Sequence, residues 1–217
     1  MTADTLFSDA DREAIRAAVE EAECATSGEI VPYVVDSSDE YPNAPWRGAA
    51  LGAMTLPLLA WGVHGLLGLW GGQLFVWMVL PAAAGAALGW LVAQVPAVRR
   101  ALAGQAVMEL RVRRRAGVAF LEEEVFATRE RTGILLFLSL FEHRVVVLGD
   151  SGINARVDQA EWEGIVETVV AGIRAGRPGP AVAAAVRECG ALLARHGVVC
   201  RVDDTDELGN VLRQGEP

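Results

Sequence analysis

Residues 131–153 read Arg131-Thr-Gly-Ile-Leu-Leu-Phe-Leu-Ser139-Leu-Phe-Glu142-His-Arg144-Val-Val-Val-Leu148-Gly-Asp150-Ser-Gly-Ile153. Two apolar runs of strand length, 134–139 and 144–148, flank a short segment carrying Glu142 and His143. Runs this short and this rich in branched residues predict two paired strands with residues 140–143 as their turn. Neither run alternates with polar residues, so both strands are expected to be buried on two faces.

Working outward toward the C-terminus, Asp158 followed by Glu161 forms a capping box that opens a helix to about Arg174. Gly and Pro at 176–180 interrupt it, and a second helix runs to His196, stopped by Gly197. Residues 198–202 read as a last edge strand, and from 201 the chain reads as an acidic, solvated tail. Toward the N-terminus, residues 99–131 show helical periodicity through Leu102, Val107, Leu110, Val118, Leu121 and Val125, in a helix that can run on from the apolar segment before it. Further back, Ser8 and Asp11 cap a helix with Ile15, Ala18, Val19 and Ala22 on one face, and 29–35 reads as a strand. A single strand is not stable alone, so it is expected to pair with the strands after residue 131. The fold class that follows is α/β, a layered domain of helices around a few buried strands.

Between the two halves lies a different kind of sequence. No Asp, Glu, Lys or Arg occurs from Gly48 to Val98, so the net charge of -9 belongs to the rest of the chain. Runs 48–70 and 73–95 are each about 34 Å long at helical rise, against roughly 30 Å of hydrocarbon. They predict a two-helix transmembrane hairpin turning at Gly71-Gly72, which gives segments 1–45 and 99–200 for the split α/β domain, 46–98 for the hairpin and 201–217 for the tail. Trp46 and Trp90 fall near one interface, Trp70 and Trp77 near the other. The segment Gly-Ala-Ala-Leu-Gly occurs at 48–52 and again at 85–89. Folding the hairpin brings the copies together, which suits close helix contact, although Ala/Gly bias alone would also produce them. His64 is the one ionisable residue within the stretch. Arg47, Arg99, Arg100, Arg111 and Arg113–Arg115 all lie on the open side, predicting a two-pass inner-membrane protein with both termini and the α/β domain cytoplasmic.

Composition excludes several classes. An acidic chain repels nucleic-acid backbones. All 19 basic residues are Arg, so there is no catalytic lysine and no lysine-dependent phosphate loop. Cys24, Cys189 and Cys200 form no C-x-x-C pair, which argues against a disulfide framework or zinc site. Residues 1–8 lack the basic start and apolar stretch of a cleavable signal, so the hairpin is expected to supply targeting.

The segments Thr26-Ser-Gly-Glu-Ile-Val, Arg131-Thr-Gly-Ile-Leu-Leu-Phe-Leu-Ser and Glu142-His-Arg-Val-Val-Val-Leu-Gly-Asp-Ser-Gly-Ile, in this order, resemble the TPM-domain family over about residues 6–45 and 99–197. That family includes thylakoid-lumen proteins of photosystem II repair and many bacterial membrane-associated proteins. The resemblance implies a small mixed sheet between helices and, for some members, acid phosphatase activity or divalent-metal binding. Two departures fall where that chemistry would sit. Ala127-Thr-Arg-Glu-Arg-Thr replaces a Trp-Gly-Ile-Gly stretch with its acids, and Asn154 and Ala155 stand where Glu and Gly are usual.

The candidate site residues are those near strand ends. Asp150, Asp158 and Arg144 are the catalytic candidates, and Glu142, Asp150, Asp158 and Glu161 are oxygen donors for a divalent cation. Against that role, Asp158 and Glu161 have a capping task and Asp150-Ser-Gly is ordinary turn chemistry. No cofactor is required by any motif. Trp162 is either a partner anchor or a core residue. Two functions remain: an accessory, assembly or maintenance factor holding another membrane protein or complex, or a membrane-tethered phosphatase. The missing acids favour the first.

Overall fold

The computed structural model describes residues 2–68, 74–198, 200 and 208–215. In chain order the elements are α1 (Ala3–Leu6), α2 (Asp9–Ala25), β1 (Ile30–Val35), α3 (Asn43–Leu66), α4 (Leu74–Val92), α5 (Pro96–Ala103) and α6 (Gln105–Glu122). There follow β2 (Ile134–Ser139), β3 (Arg144–Gly149), α7 (Ser151–Asn154), α8 (Gln159–Arg174), α9 (Pro178–Arg195) and β4 (Arg213–Gly215). They divide into two compact units, one made of the segments up to Asp39 and from Glu109 onward, the other of Glu40–Met108.

The first unit is α/β. β1 and β2 lie parallel, Ile30 opposite Ile134 and Val35 opposite Ser139, so the strand before the apolar pair does pair with one after it. A parallel neighbour requires a long crossover, and all of Glu40–Met108 lies within that connection. β3 returns antiparallel on β2 through the expected turn, and β4 lies parallel on the far side of β1, giving the order β3-β2-β1-β4.

Side-chain alternation along the strands builds two cores. On one face Ile30, Val34, Leu136 and Leu138 pack with residues of α2, α8 and α9 such as Val19, Val186 and Leu193. On the other, Val31, Tyr33, Leu135 and Phe137 meet Val112, Ala116 and Ala119, which share one face of α6 at helical spacing. Tyr33 and Phe137 stack at 5.8 Å, and Arg115 donates to the Tyr33 hydroxyl at 3.1 Å while lying 5.7 Å from its ring centroid. The Ser8–Asp11 box and the buried α2 face follow the sequence reading.

The second unit is the apolar pair with the helix after it. α3 and α4 pack antiparallel through the repeated Gly-Ala-Ala-Leu-Gly segments. A Cβ at Gly52 would collide with the Gly85 carbonyl oxygen and one at Gly89 with that of Gly48, so close backbone approach, not composition alone, explains the repeat. His64 stacks on Trp61 at 5.7 Å and meets Trp77 edge-on at 5.1 Å. Both helices are long and apolar enough to cross a membrane. Only 6% of each candidate span is buried, whereas the core helix of a water-soluble protein would be mostly covered. Arg47 donates to the carbonyls of Leu102 and Ala103 at 2.7 and 3.2 Å, capping α5, and Arg99 donates to the Glu40 carbonyl.

Four expectations need correction. The helix after the apolar pair is not continuous with α4: the chain turns after Val92, restarts at Pro96 and breaks at Gly104, whose φ is 86°. Proline supplies no N–H to extend a preceding helix but suits a first turn, and only glycine takes that φ without strain. α6 then ends at Glu122, short of Arg131. β3 is half-buried along its length because it is an edge strand among the described residues, whereas β2 is buried throughout. Finally, Val198 is buried but carries no strand, and part of the chain read as tail joins the sheet as β4. The rest of the expected 198–202 strand, apart from Cys200, lies outside the described residues, as do Trp70 and the Gly71-Gly72 turn.

Candidate functional site

The turn between β2 and β3 is held by a buried polar knot. Glu142 is 5% exposed; its carboxylate accepts the Ser38 N–H at 3.0 Å, the Ser37 hydroxyl at 3.4 Å and the Ser139 hydroxyl. The Ser38 and Ser139 hydroxyls are 2.7 Å apart. These contacts tie the chain leaving β1 to the β2–β3 turn, where His143 takes the left-handed φ of 53°. Glu142 is therefore a satisfied structural anion.

Asp150 stands at the opposite end of β3. Also 5% exposed, it accepts the Ser151 N–H at 2.6 Å and lies 2.7 Å from Arg131 Nε. Six strand residues at about 3.3 Å each separate it from Glu142, a span of roughly 20 Å. The two acids cannot share one cation. Gly152 of the same loop passes so close to the Glu130 and Arg131 carbonyls that a Cβ would sit 2.5 and 2.7 Å from their oxygens. Its backbone N–H donates to Arg131 at 3.0 Å. This motif glycine is explained by packing, and Asn154 spends its amide on the Gly149 carbonyl at 2.6 Å.

Asp158 and Glu161 form the expected capping box on α8, with the Asp158 N–H donating to Glu161 at 3.3 Å. Glu161 also lies 3.0 Å from His196 Nε2 at the end of α9, and that hydrogen bond holds its carboxyl below the usual carboxylate range. Both acids serve α8. Among the described residues no three His, Cys, Asp or Glu side chains gather into a group able to hold a metal. The acids among the described residues do not fit a hard-cation site.

Trp162, 3% exposed, belongs to the core beneath α8, which corrects its reading as a partner anchor. It floors one edge of an open groove along β3, lined by Val145–Leu148, Arg113, Val166, Glu163 and Glu167. Arg144, half-buried at the start of β3, faces a second cavity that it shares with Arg174 from the last turn of α8. Nothing in the sequence singles out Arg174, because a basic residue in a last helical turn reads simply as a dipole partner. Ser38 was equally silent, since nothing in its spacing connects it to Glu142.

The fold defined by this geometry is a four-stranded mixed α/β unit interrupted by an apolar helical pair. No family model matches the chain, and no curated protein matches it. Among solved structures it is similar to the NMR structure of the BA42 protein from the psychrophilic bacterium Bizionia argentinensis, with a TM-score of 0.60 and 17% identity, covering 98% of this chain and 98% of that one. At that identity the likeness is one of fold.

Proposed function

We propose that this is a membrane-anchored accessory protein of the TPM-domain type that holds an extended segment of another membrane protein or complex on the free edge of β3. The observation that carries this reading is the edge itself. Arg144-Val-Val-Val-Leu-Gly149 is a six-residue strand with β2 on one side and no neighbour on the other among the described residues. Its interior has no proline and no charge. A regular apolar edge of this kind exposes unpaired backbone donors and acceptors, a hazard that proteins ordinarily cover, charge or kink. An added strand would satisfy them and place alternate side chains against Val166 on one face and Arg113 on the other.

The uncovered surfaces of α3 and α4 support anchoring in a bilayer. Arg47, Arg99 and Arg100 beside them support an inner-membrane, two-pass topology with the α/β unit in the cytoplasm. Phosphomonoester hydrolysis has less support: Glu142 and Asp150 lie at opposite ends of β3, and Asp158 and Glu161 are engaged in a cap.

The test is partner capture. Tagged full-length chain recovered in mild detergent from its own membrane is compared by mass spectrometry with a Glu163→Lys/Glu167→Lys variant, whose changes fall on exposed positions at the groove rim. A membrane protein retained by the natural chain and reduced several-fold by the variant is the expected result. Identical profiles, or no retained protein, would overturn the reading.

A further inference from the structure

The cavity at the start of β3 differs from the edge groove. It is partly enclosed, about 280 Å³, and lies between β2, β3 and α8. Leu140, Val145, Val170 and Ile173 contribute apolar wall, while Arg144, Arg174 and His143 stand around it with the Ser139 hydroxyl. No Asp or Glu lines it. Glu142, the nearest acid in sequence, is committed to Ser37, Ser38 and Ser139.

Some arginines of this acidic chain find carboxylates: Arg12 with Asp4, Arg16 with Glu13 and Glu20, Arg111 with Asp39, Arg187 with Glu21, Arg213 with Glu123. Arg144 and Arg174 instead line one cavity, and neither guanidinium has a carboxylate partner among the described residues. Two like charges beside a low-dielectric wall repel, and the two guanidiniums, Arg144 half-buried and Arg174 exposed, carry directed donors that no acceptor among the described residues takes up. A phosphate or carboxylate offers acceptor oxygens in the geometry a guanidinium fork prefers. The apolar wall asks for something more than a bare anion. The volume equals about nine waters at ~30 Å³ each, below most drug-sized pockets of about 300–1,000 Å³, so the occupant is small.

We propose that this cavity binds a small amphipathic anion, a phosphate or carboxylate on a short alkyl chain, with Arg144 and Arg174 on the anionic group and the wall of Leu140, Val145, Val170 and Ile173 around the chain. The ligand is held and not turned over. The cavity shares Arg144 and Val145 with the β3 edge but does not require a partner there, and its test uses a different readout.

The test is calorimetric titration of the full chain in a neutral detergent with hexyl phosphate, against matched titrations into empty micelles. Inorganic phosphate and hexanol are the control probes. Hexyl phosphate is expected to saturate one site, to weaken as salt is raised, and to bind about tenfold or more tightly than either control, because each supplies half of the complementarity. Arg144→Gln and Arg174→Gln change accessible side chains and leave the fold intact, and each is expected to lower affinity about tenfold. Val170→Trp, which fills the cavity without touching charge, is expected to abolish binding while the circular dichroism spectrum is retained. Absence of a saturable site, or equal affinity in both arginine variants, would overturn the proposal. Competition identifies the source: displacement by micelles doped with phosphatidate but not with phosphatidylcholine marks a lipid headgroup, and resistance to both marks a soluble ligand.

Discussion

Glu142 shows how a carboxylate at the mouth of a turn can be structural. Its two oxygens serve a backbone N–H and two hydroxyls from the chain leaving β1 and from the end of β2. Replacing it by alanine orphans the Ser38 N–H in a buried setting, while the Ser139 hydroxyl keeps the Ser38 hydroxyl as its partner. The expected cost is about 1–3 kcal/mol for the one unsatisfied group. It should appear as a lower urea midpoint for Glu142→Ala with an unchanged slope, measured in neutral detergent, while Glu163→Ala on the exposed rim leaves the midpoint in place. From sequence Glu142 and Asp150 look like neighbours because eight positions separate them. The intervening strand converts that separation into distance, which no count of acidic residues reveals.

At the scale of elements, the glycine repeat makes the sharpest distinction. Gly52 faces the Gly85 carbonyl across α3 and α4, whereas nothing lies within 4 Å of a Cβ placed at Gly62 on the same helix. Gly52→Leu is therefore expected to push the helices apart at a cost of about 1–3 kcal/mol, and Gly62→Leu to be tolerated. Melting temperatures of the two variants in one detergent decide the point; equal values would mean that the helices do not rely on this contact. The repeat was legible in the sequence because close packing demands small residues at fixed spacing. β2, β3 and their turn were legible because apolar runs broken by Glu142 and His143 have few other readings. The break at Gly104 was hidden, since Leu102, Val107 and Leu110 keep a helical rhythm straight across it. β4 was hidden for the opposite reason: Arg213-Gln-Gly215 has no apolar pattern, and its place beside β1 is held by backbone pairing and by the Arg213–Glu123 ion pair.

At the scale of the molecule, the three cysteines report on both burial and sidedness. Cys24 and Cys200 are exposed, while Cys189 is fully buried in α9, where desolvation pushes its thiol up to about 12. With the α/β unit in the cytoplasm, a membrane-impermeant maleimide should label nothing in intact cells. It should label Cys24 and Cys200 after permeabilisation and reach Cys189 only after denaturation. Labelling of Cys24 or Cys200 in sealed cells would reverse the proposed topology.

The parallel register of β1 and β2 has a consequence in time. Ile30 leaves the ribosome roughly a hundred residues before its partner Ile134 exists. At about 5–20 residues per second, that leaves β1 waiting some 5–20 s with an apolar strand and nothing to pair with. Both apolar helices are synthesised within that interval. Synthesis order thus makes α3 and α4 available to settle first and closes the sheet last, so a lesion that stalls the helices would leave the nascent first strand exposed to chaperones and proteases, although the lesion lies in neither sheet nor core.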